Sequence, residues 1–460
     1  MFFSGQNGPD AIGHAATHSL IPMNIHIVRI LAGLLLFGTV ALRASQAGGP
    51  VRPLADDFVV VGESDDPLNT PLYSPSILRL DSGRLVAAYS RHSAKKPKRE
   101  VLLTSDDGGR SWKQRAELPS LQGRVFKAGR SLYYLATGAG LPISRSDDDG
   151  ETWSAPVNLT GKELVWQQTP ANVWHAKGNV YIAYELAGRK IDAWAPSEKA
   201  LVLLRAAEKS DLTKTQNWTT SSRLVFSDVL PGTRENDPQI DYVGIPFYPQ
   251  SYPNRQPMAP KRSFSPIGWV EPGVVQILDP DHYWYDPSGR TFHILARAHT
   301  GGTGFACLTK VVENDDGSMT MSLQDAPSGK HMLFLPVPGG QLRFHVLYDA
   351  KTKLYWLLGS QATDSMRRAD RLPPDRFDLA FNERQRLVLH FSRNLVDWCF
   401  AGLVATSGEN GRTSRHYASM DIDGDDLVIL SRSGDKRAKS AHNGNLITFH
   451  RVKNFRELVY

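Results

Sequence analysis

Six histidines, His92, His175, His282, His299, His345 and His416, stand at the ends of short β-prone runs or in the loops beside them. A neutral imidazole so placed can take a proton, and an arginine nearby can neutralise a carboxylate on the same ligand. Together these groups suit removal of a proton α to a uronate carboxylate, the chemistry of a polysaccharide lyase. His299 stands out because Arg297-Ala298-His299 runs straight into Thr300-Gly301-Gly302-Thr303-Gly304. That glycine run is no phosphate loop, since no Lys-Ser/Thr and no helix follow it. For the other histidines the plainer role is a hydrogen bond to a loop carbonyl or a sugar hydroxyl. Trp174, Trp269 and Tyr283 could stack on a sugar face, although packing between sheets is the commoner use of such rings.

The elements that must position these groups are strands. Past residue 50 the chain reads as short β-rich runs separated by turn chemistry, and no helix-period segment is long enough to organise a domain. Runs 77–80 and 84–89 flank Asp81-Ser82-Gly83, and 173–175 and 179–185 flank Lys177-Gly178. Runs 274–278 with 291–297, 344–348 with 354–359, and 417–422 with 427–431 make three more hairpins, and 125–137 a sixth. Two inner strands followed by one or two more is the grammar of a propeller blade, and blades must close into a ring to cover their faces. The expectation is an all-β, six-bladed propeller over 48–460, with 58–61 and 446–450 zipping the first and last blades together. The insertions 231–266 and 364–383 would build a binding face on that ring.

One motif repeats. Ser105-Asp106-Asp107-Gly108-Gly109-Arg110-Ser111-Trp112 and Ser146-Asp147-Asp148-Asp149-Gly150-Glu151-Thr152-Trp153 share the pattern Ser-x-Asp-x-Gly-x-Ser/Thr-Trp. Degenerate copies follow at Ser210-Asp211-Leu212 with Trp218 and at Ser392-Arg393-Asn394-Leu395 with Trp398. The block suits a hairpin tip: the Asp carboxylate accepts backbone N–H groups, Gly takes a positive φ and Trp packs in the seam. The pattern resembles the Asp box of the sialidase (neuraminidase) superfamily. There the box marks the fold on the face away from the catalytic centre, which makes Asp107, Trp112, Asp148 and Trp153 structural.

The resemblance implies a catalytic set. Arg415-His416-Tyr417-Ala418-Ser419-Met420 looks like the family's nucleophile strand, with Tyr417 as the attacking residue and Glu271 as the carboxylate that activates it. Arg297 and Arg415, with Arg343 as a further member, would hold an acidic sugar. His416, His345, His175, His282 and Arg91 are candidate substrate contacts beside them. Two departures are plain: Tyr73-Ser74-Pro75 stands where the family has Arg-Ile-Pro, and the loop 91–100 contains no Asp for the acid/base, leaving Glu100 or His92 as substitutes. The resemblance implies an exported glycoside hydrolase for an acidic or modified glycan. A propeller lyase and a non-catalytic glycan- or protein-binding propeller are the alternatives.

Bulk properties bound the rest. The 460 residues are 41% hydrophobic and 22% charged, ordinary globular usage, with a net charge of +6 spread along the chain apart from Lys95-Lys96-Pro97-Lys98-Arg99. No basic amphipathic helix, zinc-finger spacing or RNA signature is present, which argues against a nucleic-acid partner. From Met23, a basic stretch (His26, Arg29), the apolar run 30–42 and Arg43-Ala44-Ser45-Gln46-Ala47-Gly48 read as a signal peptide cleaved after Ala47, within an N-terminal segment 1–47. The product would be secreted or periplasmic, monomeric and without a membrane-inserted segment. Cys307 and Cys399 are expected to be buried free thiols, although one bridge would also fit. No metal or cofactor is expected.

Overall fold

A computed structural model describes residues 51–93, 97–167, 171–190, 194–229, 267–363, 382–408 and 411–460, together with the backbone of 240–241, 256–259 and 262–264. The signal segment and most of both insertions lie outside the described residues. Every hairpin read from the sequence is an antiparallel pair. Leu72–Arg79 pairs with Leu85–Arg91, Leu121–Ala128 with Ser131–Ala139, and Trp174–Ala176 with Asn179–Leu186. Gly268–Val275 pairs with Thr291–His299, His345–Asp349 with Leu354–Ser360, and Ser414–Asp423 with Asp426–Gly434.

Outer strands extend these pairs into sheets. Arg99–Ser105 and Lys113–Leu118 complete the first, and Arg386–Ser392 and Cys399–Thr406 complete the one begun by His345–Asp349. The second and third hairpins belong to one larger sheet, because Val165–Gln167 pairs with a strand of each. In the last sheet Leu446–Val452 is followed by Val59–Glu63 from the other end of the chain, with Val59 opposite Phe449 and Val60 opposite Thr448. Residues 58–61 and 446–450 thus meet as the sequence suggested.

The core lies between sheets. Strand Leu85–Arg91 is buried on both faces, so its apolar run does not alternate. Leu85 and Ala87 pack with Val428, Leu430 and Phe449 of the last sheet. Val86 and Ala88 pack with Val125, Leu132 and Tyr134 of the next one. Each sheet needs a neighbour on either side, and the contact of first with last gives a propeller-like, all-β arrangement. Cys307 is buried as expected, whereas Cys399 is exposed and the two are not bridged. Cys399 opens the edge strand of its sheet, Cys399–Thr406, whose first two residues are exposed.

Four inner strands carry the same irregularity. Register shifts fall between Tyr73 and Ser76, Leu121 and Arg124, Val270 and Gly273, and His416 and Ser419. Inside each bulge one residue takes a left-handed φ: Ser74 (49°), Gln122 (53°), Glu271 (58°) and Tyr417 (50°). Non-glycine residues adopt this conformation only when their surroundings enforce it, and such sites cluster where function needs a side chain re-aimed. Just beyond the bulges a belt of side chains ties neighbouring sheets together. Ser76 Oγ accepts the Val125 N–H (3.0 Å), Asn172 Oδ1 that of Val274 (2.8 Å), His345 Nδ1 that of Met420 (2.9 Å) and Ser419 Oγ that of Ile77 (3.3 Å).

The repeated turns carry matching bonds. Asp107 Oδ1 accepts the amides of Arg110 and Ser111 at 2.9 Å, and Asp148 Oδ1 accepts that of Thr152 at 2.9 Å. Trp112 and Trp153 donate their indole N–H to Gly109 (3.1 Å) and Gly150 (3.2 Å) carbonyls. Hydrogen bonding holds both carboxyls below their ordinary range. These turns follow the third strand of a sheet, so antiparallel alternation puts them at the opposite edge from the bulges that open the first strands. Asp148→Ala is therefore expected to lower the thermal midpoint while leaving kcat/KM unchanged, as melting curves and initial rates would show.

Candidate functional site

All four left-handed bulge residues, Ser74, Gln122, Glu271 and Tyr417, line a single pocket of about 390 Å³. The Tyr417 hydroxyl accepts a 2.7 Å hydrogen bond from Arg297 Nη1, and Arg297 Nε donates to the Gln341 carbonyl at 2.7 Å. Arg297 Nη1 also lies 3.5 Å from Glu271 Oε2, which has no hydrogen-bond partner among the described residues. Burial raises the Tyr417 pKa; Arg297 lowers it, but burial dominates, and the adjacent Glu271 carboxylate raises it further. The phenol is therefore neutral at rest, with a carboxylate beside it to take its proton.

Guanidinium groups crowd the same pocket. Arg343 donates to the Tyr417 carbonyl at 3.4 Å, and Arg384 lies 5.0 Å from the centre of the Tyr417 ring. Arg432 stacks 4.0 Å over the Tyr73 ring and is anchored by the His442 carbonyl. Burial, ahead of other influences, holds Arg343, Arg384 and Arg432 below the ordinary arginine value, yet guanidinium stays cationic in proteins. Glu271 is the only carboxylate among the described lining residues, so the pocket is strongly positive. Trp194, 40% exposed, stands at the wall with its ring 5.0 Å from that of His299. Among the described residues no group of three His, Cys, Asp or Glu could hold a metal ion.

Two of the bulges are held from behind by buried acids. Glu185 accepts the backbone N–H of Glu271 on one oxygen and Lys199 Nζ at 2.5 Å on the other. Glu100 accepts the N–H of Gln122 at 3.2 Å and the Ser90 hydroxyl at 2.5 Å. A bulge takes an amide out of the ladder, and a carboxylate behind it supplies the missing acceptor. Burial, against these bonds, raises Glu185 from 4.5 to about 7 and Glu100 from 4.5 to about 8. The folded chain thus binds extra protons across that window, so the acids' contribution to stability is greatest below pH 4.5 and is lost as pH rises to about 8. Glu100→Gln is expected to flatten the upper part of this decline, measured as melting midpoint against pH.

Of the candidates read from the sequence, Tyr417, Glu271, His299, Arg297 and Arg343 line this pocket. His416 sits behind it, fully buried, with Nδ1 accepting from Arg384 at 2.8 Å and its ring 5.0 Å from that of Tyr417. The others point elsewhere. Arg415 donates to the Ser414 carbonyl and stacks on Phe58. Arg91 pairs with Glu117 at 3.3 Å, and His175 with Glu208 at 2.8 Å. His282 bridges the Asn394 carbonyl and the Trp284 amide, while His345 belongs to the belt. Neither substitute acid reaches the pocket wall: Glu100 is buried behind Gln122, and His92 lies edge-on to Tyr73. Trp269 is buried, Trp174 donates to Gln276, and Tyr283 is exposed away from the pocket.

Register explains the misses. Arg297 faces Val270 and Arg432 faces His416, each directly preceding a left-handed residue. The matching position in the first hairpin, opposite Tyr73, is Ser90; Arg91 is one residue further and turns to the other face. The same one-residue offset takes Arg415, opposite Ser433, out of the pocket. The shared place of Arg297 and Arg432 at their strand ends is the signal that could have found Arg432. Arg384 directly follows the second insertion, in a stretch without β pattern, and Trp194, Asn382 and His442 had no motif.

No protein-family model matches the chain, and no curated protein is similar in sequence. Among solved structures, it is similar to a Dyadobacter fermentans protein of unknown function at 13% identity and TM-score 0.51, over 88% of this chain and 99% of that one. It is also similar to a Trypanosoma rangeli sialidase at 13% identity and TM-score 0.48, over 89% of this chain and 60% of that one. A Fusarium graminearum α-L-arabinofuranosidase gives 11% identity and TM-score 0.48, over 88% of this chain and 99% of that one. At such identities a likeness speaks to the fold alone, and the propeller-like all-β arrangement is the one the strand pairings above describe.

Proposed function

We propose that this chain is an exported glycoside hydrolase that cleaves a glycan bearing a carboxylate or similar anionic group. The observation that carries the reading is the meeting of the Tyr417 hydroxyl, Glu271 and Arg297 in a pocket ringed by Arg343, Arg384 and Arg432. The guanidinium groups hold the sugar's anionic group and fix its anomeric carbon over Tyr417. Glu271 takes the phenolic proton as the Tyr417 oxygen bonds to that carbon and the glycosidic C–O bond breaks. The leaving oxygen needs a proton. Tyr73 has committed its own to Asn443 at 2.7 Å, and burial with Arg432 and Arg384 depresses His442 to about 2, so His299 takes this role. Water returned by the same path releases the sugar with its configuration retained.

The full architecture in this reading has six blades, the larger sheet being two blades bridged by Val165–Gln167. Residues 23–47 direct export and are removed after Ala47, and the mature protein is a monomer. One observation favours a second reading: among the described lining residues no second carboxylate stands ready as the acid/base of a glycosidase, and a lyase needs none. In a lyase, His299, or Tyr417 once Glu271 has taken its phenolic proton, would remove the proton α to a uronate carboxylate held by the arginines. Incubating the protein with sialylated, sulfated and uronate-containing glycans separates these outcomes. New reducing ends without unsaturated products support the hydrolase, unsaturated uronate supports the lyase, and binding without turnover across the panel supports a glycan-binding propeller.

A further inference from the structure

On the opposite edge of the ring a second cavity of about 340 Å³ opens, and it shares no lining residue with the Tyr417 pocket. Its wall is largely apolar, including Ile77, Phe126, Val173, Val346 and Met420, but Arg124, His345 and Asp421 also line it. Arg124 is only 6% exposed. Its Nη1 donates to Ser419 Oγ at 2.6 Å, whereas its Nε has no partner among the described residues. The acid within electrostatic range, Asp421, is engaged elsewhere: Oδ2 accepts the Arg79 amide at 2.7 Å and Oδ1 that of Ile422 at 2.9 Å. Arg343 presses on Arg124 with like charge from the first pocket.

His345 supplies a second donor. Its Nδ1 accepts the Met420 N–H at 2.9 Å, so in the neutral ring the proton sits on Nε2. Burial, with Arg124 and Arg343 nearby, keeps that ring neutral. The belt positions therefore bring a buried guanidinium and an imidazole N–H to one cavity with no carboxylate bonded to either. A buried cation lacking a bonded counter-charge is costly, and an anion entering the cavity would relieve that cost. We propose that Arg124 and His345 form a binding site for a small monoanion, a halide or the head of an apolar carboxylate, separate from the arginine pocket.

The first test is a bromide soak of wild-type crystals, read by anomalous scattering, because the arginine pocket will attract anions too and only a located peak separates the sites. A bromide peak between Arg124 and His345 is expected; its absence at a bromide concentration that fills the arginine pocket overturns the proposal. Melting of wild type and Arg124→Met is then followed against sodium bromide and sodium benzoate, with sodium sulfate, whose dianion is not of the proposed class, holding ionic strength. A saturable rise in midpoint, smaller in Arg124→Met, is expected. Bromide stronger than benzoate identifies a halide site, and the reverse identifies a carboxylate site. Equal, non-saturating responses in both proteins would reject a specific site. Should Arg124→Met fail to fold, the wild-type peak still decides.

Discussion

Tyr417→Phe is expected to lower kcat by roughly three orders of magnitude while changing ligand affinity little. The substitution deletes one oxygen, the atom that Arg297 contacts at 2.7 Å, and keeps the ring that packs beneath Arg384. Glu271→Gln should fall nearly as far, because an amide cannot accept the phenolic proton, yet its backbone can keep the same bulge. The double variant is expected to be no worse than the more damaged single, since residues acting as one unit are non-additive. Steady-state rates on the substrate found in the glycan panel, with product affinity by calorimetry, make the check. Loss of binding in parallel with rate would mean that these residues only shape the pocket, and rates within tenfold of wild type would remove Tyr417 from the chemistry.

Lys199→Met is expected to be among the most destabilising single substitutions, by about 3–5 kcal/mol above neutral pH. Lys199 and Glu185 are 3% and 0% exposed and face each other at 2.5 Å. Removing the ammonium leaves a buried carboxylate whose proton affinity, already raised by burial despite Lys199, must rise further. Because the folded form then holds its proton to higher pH than the unfolded one, the loss grows as pH rises and shrinks as the solution becomes acid. Combining Lys199→Met with Glu185→Gln should restore much of the stability. Activity should stay below wild type in the double variant, since the carboxylate holding the Glu271 amide is gone. Denaturant melts at several pH values test this, and a pH-independent loss would point to packing alone.

The resemblance carried by two Ser-x-Asp-x-Gly-x-Ser/Thr-Trp turns led from the sequence to Glu271, Arg297 and Tyr417. What misled it was period 2: Arg91 and Arg415 look equivalent to Arg297 until the bulge register shows them one residue out of phase. His345 looked like a sugar contact because it stands at the start of a β-prone run, yet its Nδ1 is committed to an amide of the next sheet and it lines no part of the Tyr417 pocket. No spacing rule encodes that contact, since Met420 is 75 residues away.

Local chemistry determined the strands, the hairpins and the turns: alternating or doubly apolar runs, turn residues between them and carboxylates that close a tip all act within a few positions. Tertiary structure decided the site. It held the bulges at Gln122 and Glu271 with acceptors on neighbouring sheets, gathered them with Ser74 and Tyr417 in one pocket, and brought Arg384, Arg432 and Trp194 to the same wall from separate parts of the ring. The physical reason is that a ring's inner edge is assembled from every sheet at once. Which side chains meet there depends on register and closure, which no single segment contains.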